Sequence, residues 1–188
     1  MPLSQRRQAL HDHKRAAILN AARRVIARNG LDGAKMREIA READYTPGAL
    51  YAYYSSKDHL LIDLAGQALG LAARSIRAGA DKDGAESALQ QLHRHFTDLP
   101  QDFDLLLTAL QSKLGDILDE ETARTLNGRF IAALAPIAEA LMADGASADH
   151  ANKSAIARAS QILGVLMLEN SGRLSALGFD GRKILGGS

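Results

Sequence analysis

Apolar residues recur three and four positions apart along almost the whole of this 188-residue chain, and no other feature constrains its fold so tightly. That spacing places them on one face of an α-helix. Nowhere does the chain sustain the alternation of β-branched and aromatic residues that a half-buried strand requires. Composition agrees, since aromatic residues make up only 4% and the strong helix formers Ala and Leu are abundant. The expected fold class is all-α, with about eight helices. The length suits one compact domain, or a small module attached to a larger one, and can bury a core without covalent staples. With no cysteine, the chain has no disulfide framework, thiolate metal site or cysteine nucleophile. The basic, polar N-terminus lacks the apolar stretch of a secretory signal, and the longest apolar run, Phe130 to Ala138, is too short to span a bilayer. A soluble cytoplasmic protein with no membrane partner is expected.

The first helix is expected from about Asp12 to Asn29, with Ile18, Ala21, Ala22, Val25 and Ile26 inward and Gly30 as its stop. A short helix from about Met36 to Ala43 follows. After Asp44-Tyr45-Thr46, a third helix takes Thr46 as N-cap and Pro47 at its first position, ending near Tyr54. Ser55 and Asp58 resemble a capping box and start a fourth helix, which reaches about Arg77. Further helices are expected near Gly84–Leu99, Phe103–Gly115, Asp119–Ala143 and Ser147–Leu177. Pro136 should kink or split the third of these, and Gly172 or Gly178 should end the last one early.

Net charge is only +1, but its distribution is uneven. Residues 1–60 carry eleven Lys and Arg against six Asp and Glu, and the remainder carries twelve against sixteen. A basic first third suggests a module that binds a polyanion. Two short helices joined by three residues in that third form a helix-turn-helix, whose second helix enters the DNA major groove. All four tyrosines, Tyr45, Tyr51, Tyr53 and Tyr54, fall there within ten residues. Tyr54, beside the fourth helix, reads as core, and Tyr51 and Tyr53 as DNA-facing. Between Thr46 and Ser56 there is no Arg, Lys, Asn or Gln, so the usual bidentate readers of guanine and adenine are missing. Sequence reading would then rest on tyrosine hydroxyls, thymine methyls and DNA shape.

Residues 12–64 resemble the N-terminal domain of TetR-type transcriptional regulators. The resemblance lies in Ile18-Leu19-Asn20-Ala21-Ala22, Gly30, Arg37-Glu38-Ile39-Ala40, and the run from Thr46-Pro47-Gly48-Ala49-Leu50-Tyr51 through Tyr53-Tyr54-Ser55-Ser56-Lys57-Asp58-His59-Leu60. It implies an all-α homodimer that represses transcription from a double-stranded DNA operator until a small-molecule effector binds the C-terminal part. It further implies that Thr46, Gly48, Tyr51 and Tyr53 contact DNA, that Lys57 contacts phosphate, and that Leu50 and Leu60 are core. Two positions depart from the family pattern. Lys35 stands where Ser or Thr usually caps the second helix, so it loses the cap but can bring charge, as Arg37 can, to the same backbone. Asp44 stands where Gly is usual, and Asp tolerates left-handed geometry better than most residues. The resulting organisation is a helix-turn-helix domain over 1–54, joined by a long helix to a helical effector-binding and dimerisation domain over 55–188. In that second part, Asp119–Ala143 and Ser147–Leu177 would pair across the two-fold axis.

Other constellations are weaker. His11 and His13, like His93 and His95, lie two apart and diverge by about 200° on a helix, so neither pair can clamp a metal ion. Gly66 and Gly70 read as close helix packing. Glu169 and Asn170 interrupt an apolar face and suit a helix end or an interface. No nucleophile, base and orienting group recur at useful spacing, so the expectation is not an enzyme, with no cofactor. Two alternatives stay open: a small-molecule enzyme with an all-α C-terminal domain, and a DNA-binding regulator without an effector. An apolar pocket with a few polar groups in the C-terminal half would separate the last from the main reading.

Overall fold

The computed structural model describes residues 3–111 and 120–185, and every regular element among them is helical. In chain order these are α1 (Leu3–Gly33), α2 (Met36–Glu42), α3 (Pro47–Tyr51), α4 (Lys57–Asp98) and α5 (Pro100–Gln111). After the undescribed stretch come α6 (Glu120–Ala143), α7 (Ala148–Asn170), α8 (Arg173–Ala176) and α9 (Gly181–Ile184). The expected helix Phe103–Gly115 therefore runs partly outside the described residues, as does Asp119.

Helix α1 starts at Leu3, nine residues before the expected Asp12. Its exposed first turns are built from Gln, Arg, Ala, Leu and Lys, which favour helix even without burial. At Gly30 the backbone swings to φ 72° and ψ 171°, a conformation costly for any side chain, and only a last turn follows. The span of α4 joins two helical pieces, the first running past its expected end near Arg77 and the second being the segment predicted from Gly84. The two pieces meet at a break where Asp83 and Gly84 leave helical geometry.

The described residues fall into two compact units, one within 1–65 and 104–118, the other within 66–103 and 119–188. In the first, Ile18, Leu19, Ile39, Leu50, Leu60 and Leu64 are fully buried. Each contributes about 1.5–3 kcal/mol relative to exposure. Alanines 21, 22 and 40, also fully buried, let α1 and α2 approach closely. Polar clasps surround this core. Arg15 donates from Nε and Nη2 to Asp63 Oδ2, both at 2.7 Å, and the Tyr54 hydroxyl donates to the same oxygen at 2.6 Å. Tyr54 is core, as expected. Glu42 accepts from Arg24 at 2.7 Å and Arg28 at 2.5 Å, tying α2 to α1.

In the second unit α6 packs along α7. Phe96 and Phe103, both buried, meet with ring centroids 5.7 Å apart. Arg77 pairs with Glu139, and Arg158 with Glu86. Pro136 does not split α6, which runs unbroken from Glu120 to Ala143. A proline removes one hydrogen bond from a helix, and here it is buried among residues that hold both halves in place. By length and composition α6 could cross a membrane. One side of it buries Leu126, Leu134 and Ile137, Arg129 lies across Gly66, and Ile131 is exposed. Gly70, the other half of that pair, has open space beside it. Helix α7 is capped by Ser147 and ends at Asn170, before the left-handed Gly172.

Candidate nucleic-acid interface

The turn between α2 and α3 is built by local chemistry. Lys35 caps α2 from an extended conformation without a side-chain cap bond, as its departure from Ser or Thr predicts. The chain leaves α2 through Asp44 at φ 60°, the left-handed geometry expected of it. Tyr45 N–H donates back to Ala40 O at 2.8 Å, closing the turn. Thr46 then caps α3, its Oγ1 accepting from Ala49 N–H at 3.2 Å, with Pro47 at the first position. Helix α3 ends at Tyr51 rather than near Tyr54. Tyr53 and Tyr54 N–H both return to Leu50 O, so the chain turns toward α4 there. The cap of α4 is Ser56, not Ser55. Its Oγ accepts from His59 N–H at 3.2 Å, because Ser56 immediately precedes the first helical residue.

All seven sequence-predicted contact residues lie in the first unit. Lys35, Arg37, Thr46, Gly48 and Tyr51 are exposed, Tyr51 at 49%. Tyr53 is half-buried, its ring 5.2 Å from that of His11 and 6.2 Å edge-on from that of Tyr45. Lys57 is also half-buried, and its Nζ donates to Leu31 O at 2.6 Å and Asp32 O at 3.3 Å. An ammonium suits the carbonyl-rich end of α1. Of its three donors, two are thus engaged within the fold.

The basic residues divide sharply. Arg15, a basic residue of the first helix, is clasped by Asp63 and Tyr54. Arg24 and Arg28 are held by Glu42, and their hydrogen bonds keep that carboxyl below its ordinary range. Lys35 and Arg37 form no ion pair among the described residues. Neither does Arg41, which sequence reasoning passed over. It is exposed on α2 four residues after Arg37, and that spacing is the signal that could have found it.

With no side chain at Gly48 and open space beside it, the start of α3 can approach another molecule closely. Chemically, this surface offers cations on α2 and a tyrosine hydroxyl on α3. Among the described residues no group of three His, Asp or Glu could hold a metal ion.

The second unit contains a cavity of about 610 Å³ lined by α4, α7 and residues 182–185. It is more charged than the apolar pocket the sequence led us to look for. Arg94, Arg158, Arg182, Glu86 and Asp98 share it with Leu89, Ile162, Ile184 and Leu185. His93 lines it too, its Nε2 3.1 Å from Glu169 Oε2. Glu169 thus ties a helix end to a neighbouring helix, in keeping with the expected helix-end role.

Comparison with known proteins places these residues in a wider setting. Residues 18–64 match the profile of bacterial regulatory proteins of the tetR family. The transcriptional regulator PksA of Bacillus subtilis is 44% identical over 55 residues, which are 29% of this chain and 27% of PksA. The transcriptional repressor KstR of Mycobacterium tuberculosis is 35% identical over 75 residues, 40% of this chain and 32% of KstR. The likeness thus spans about a quarter to a third of the length of these curated relatives. In overall fold the chain is similar to the crystal structure of SCO4313, with TM-score 0.74 and 23% identity, covering 99% of this chain and 96% of that one.

Proposed function

Because residues 18–64 match the tetR family of bacterial regulatory proteins, we propose that this chain is a member of it, a homodimeric DNA-binding transcriptional repressor released from its operator by a small molecule. Residues 1–54 bind DNA, and residues 55–188 bind the effector and dimerise. The observation that carries this reading is the exposed helix-turn-helix within the matched segment: a capped α3 with open space at Gly48, flanked by uncompensated cations on α2.

Lys35, Arg37 and Lys57 contact phosphates in this reading, while Thr46, Gly48, Tyr51 and Tyr53 face the bases. Arg41 joins the phosphate contacts. Lys57 uses its remaining donor, so it serves the fold and the DNA together. Dimerisation is supported by large apolar side chains left exposed on α6 and α7, Ile131 at 66%, Ile156 at 52% and Met167 at 50%. Two copies related by a two-fold axis would set their α3 helices about one helical turn of DNA, roughly 34–36 Å, apart. Helices α4 and α5 each have residues in both units, so they are covalent routes by which an occupied effector site changes that spacing. Effector and operator then oppose each other reciprocally.

The test is selection of bound fragments from random DNA by the full chain, followed by mobility shift. The expected product is an inverted repeat whose binding weakens with salt. Arg37→Ala should reduce the salt slope by about one per contact at every sequence tested. Failure to enrich any sequence, or a monomer in sedimentation at micromolar concentration, would overturn the reading.

A further inference from the structure

We propose that the cavity of the second unit binds a small organic anion, a carboxylate or phosphate ester with a short apolar body, and that the C-terminal segment forms one of its walls. This deepens the effector reading above and rests on it for its regulatory meaning. At about 610 Å³ the cavity falls within the size range of small-molecule sites. Three arginines reach it from three separate elements, Arg94 on the later part of α4, Arg158 on α7 and Arg182 on α9. A guanidinium presents a planar fork of donors that matches the paired oxygens of carboxylate and phosphate. Arg158 is already neutralised by Glu86. Arg94 and Arg182 form no ion pair among the described residues, although Asp98 also lines the cavity. The lining therefore keeps a surplus of one positive charge, and Leu89, Ile162 and Ile184 supply apolar surface beside it.

The wall that carries Arg182 is seated by close backbone approach. A Cβ at Gly181 would lie 2.0 Å from Glu169 Oε1 and 2.7 Å from Val165 Cγ1. Glu169 is in turn held by His93, which is nine-tenths buried and itself lines the cavity. A continuous set of contacts thus runs from His93 through Glu169 to Gly181, and the next residue is Arg182. Whatever occupies the cavity is sensed by the segment that encloses it.

The experiment is calorimetric titration of the full chain with hexanoate, hexyl phosphate and 1-hexanol. One or both anions should bind at millimolar concentration or tighter while hexanol does not, and the preferred anion identifies the head group. Arg94→Ala and Arg182→Ala, both at exposed positions, should each weaken that anion about tenfold or more with unchanged melting of the free protein. Gly181→Val should weaken it as well by displacing the wall, although position 181 offers the ligand no donor. Three results would overturn the proposal: no binding by either anion, equal binding by hexanol, or affinities unmoved in the two arginine variants. Mobility shift on selected DNA, run with the same preparations, separates the two claims. DNA binding without anion binding removes this site and leaves a DNA-binding regulator, whereas anion binding without DNA binding does the reverse.

Discussion

The two units of this chain solve the problem of holding helices together in different ways. The first is small, and the junctions between its helices are each set by a named local device: Gly30, Asp44, Thr46, Ser56. Its charged residues are divided between clasps that bind helix to helix and cations left open on α2. The second is built from long helices whose buried faces carry Leu, Ile, Phe and many alanines, with apolar side chains left exposed on α6 and α7 and a charged cavity inside. A small core must be fixed by position-specific chemistry, whereas long helices can pack through general apolar area and leave room for a site. Residue identity is therefore more tightly constrained in the first unit than in the second.

The sharpest way to break this comparison is to empty the small core. Leu50→Ala removes a fully buried side chain and should cost about 2–5 kcal/mol. Hydrogen exchange should then show lost protection in α1–α3, with α6 and α7 still protected. Equal loss in both units would mean that they unfold as one and that the distinction has no energetic content.

Cutting a clasp should cost less than emptying the core. Asp63→Asn keeps the shape but removes the charge that Arg15 and Tyr54 share. Arg15 is nearly half exposed, so solvent screens the pair, and a loss of roughly 1–3 kcal/mol in chemical denaturation is expected. Tyr54→Phe should follow in the same direction by a smaller amount.

Tyr51→Ala sharpens the comparison from the other side. An exposed tyrosine contributes little to the fold, so stability should move by no more than about 0.5 kcal/mol. Fluorescence anisotropy on a selected operator should nevertheless show weaker binding, by about 1–2 kcal/mol. Unchanged affinity would remove Tyr51 from the contact set.

The smallest expected effect is a difference in acid response. Burial pushes the His95 imidazole below its ordinary value of 6.5, and its Nε2 is buried without a hydrogen-bond partner among the described residues. The unfolded chain takes up that proton first, so the second unit should begin to lose stability as pH falls through 6.5. Glu42 behaves oppositely. Hydrogen bonds from Arg24 and Arg28 lower its folded pKa below 4.5, so its contribution persists above that value and fades only as pH drops further. Residue-resolved exchange between pH 7 and 4 should show α4 near His95 loosening before the α1–α2 contact, and His95→Leu should abolish that order.

Much of the first unit was legible in the sequence because its determinants are local. A threonine before Pro47, an aspartate at a left-handed turn and a glycine after a helix act within four residues of themselves; spacing placed the first and last, and the family pattern the aspartate. Leu50 and Leu60 were recognisable as core from the family resemblance, and both are fully buried. The errors were of reach. The start of α1 and the end of the first piece of α4 were misjudged because turns of good helix formers carry no apolar stripe, whereas the separate piece expected from Gly84 does begin at a break there. Only the tertiary structure decided the partners: that Lys57 closes the end of α1, that Arg15 belongs to Asp63 and not to an open surface, and that Arg94, Arg158 and Arg182 meet in one cavity. Those pairings join residues 26, 48 and up to 88 positions apart in the sequence. Local propensity fixes which side chains face inward on a helix. It does not fix which helices come together, because that is set by the shape and area of whole faces packed at once.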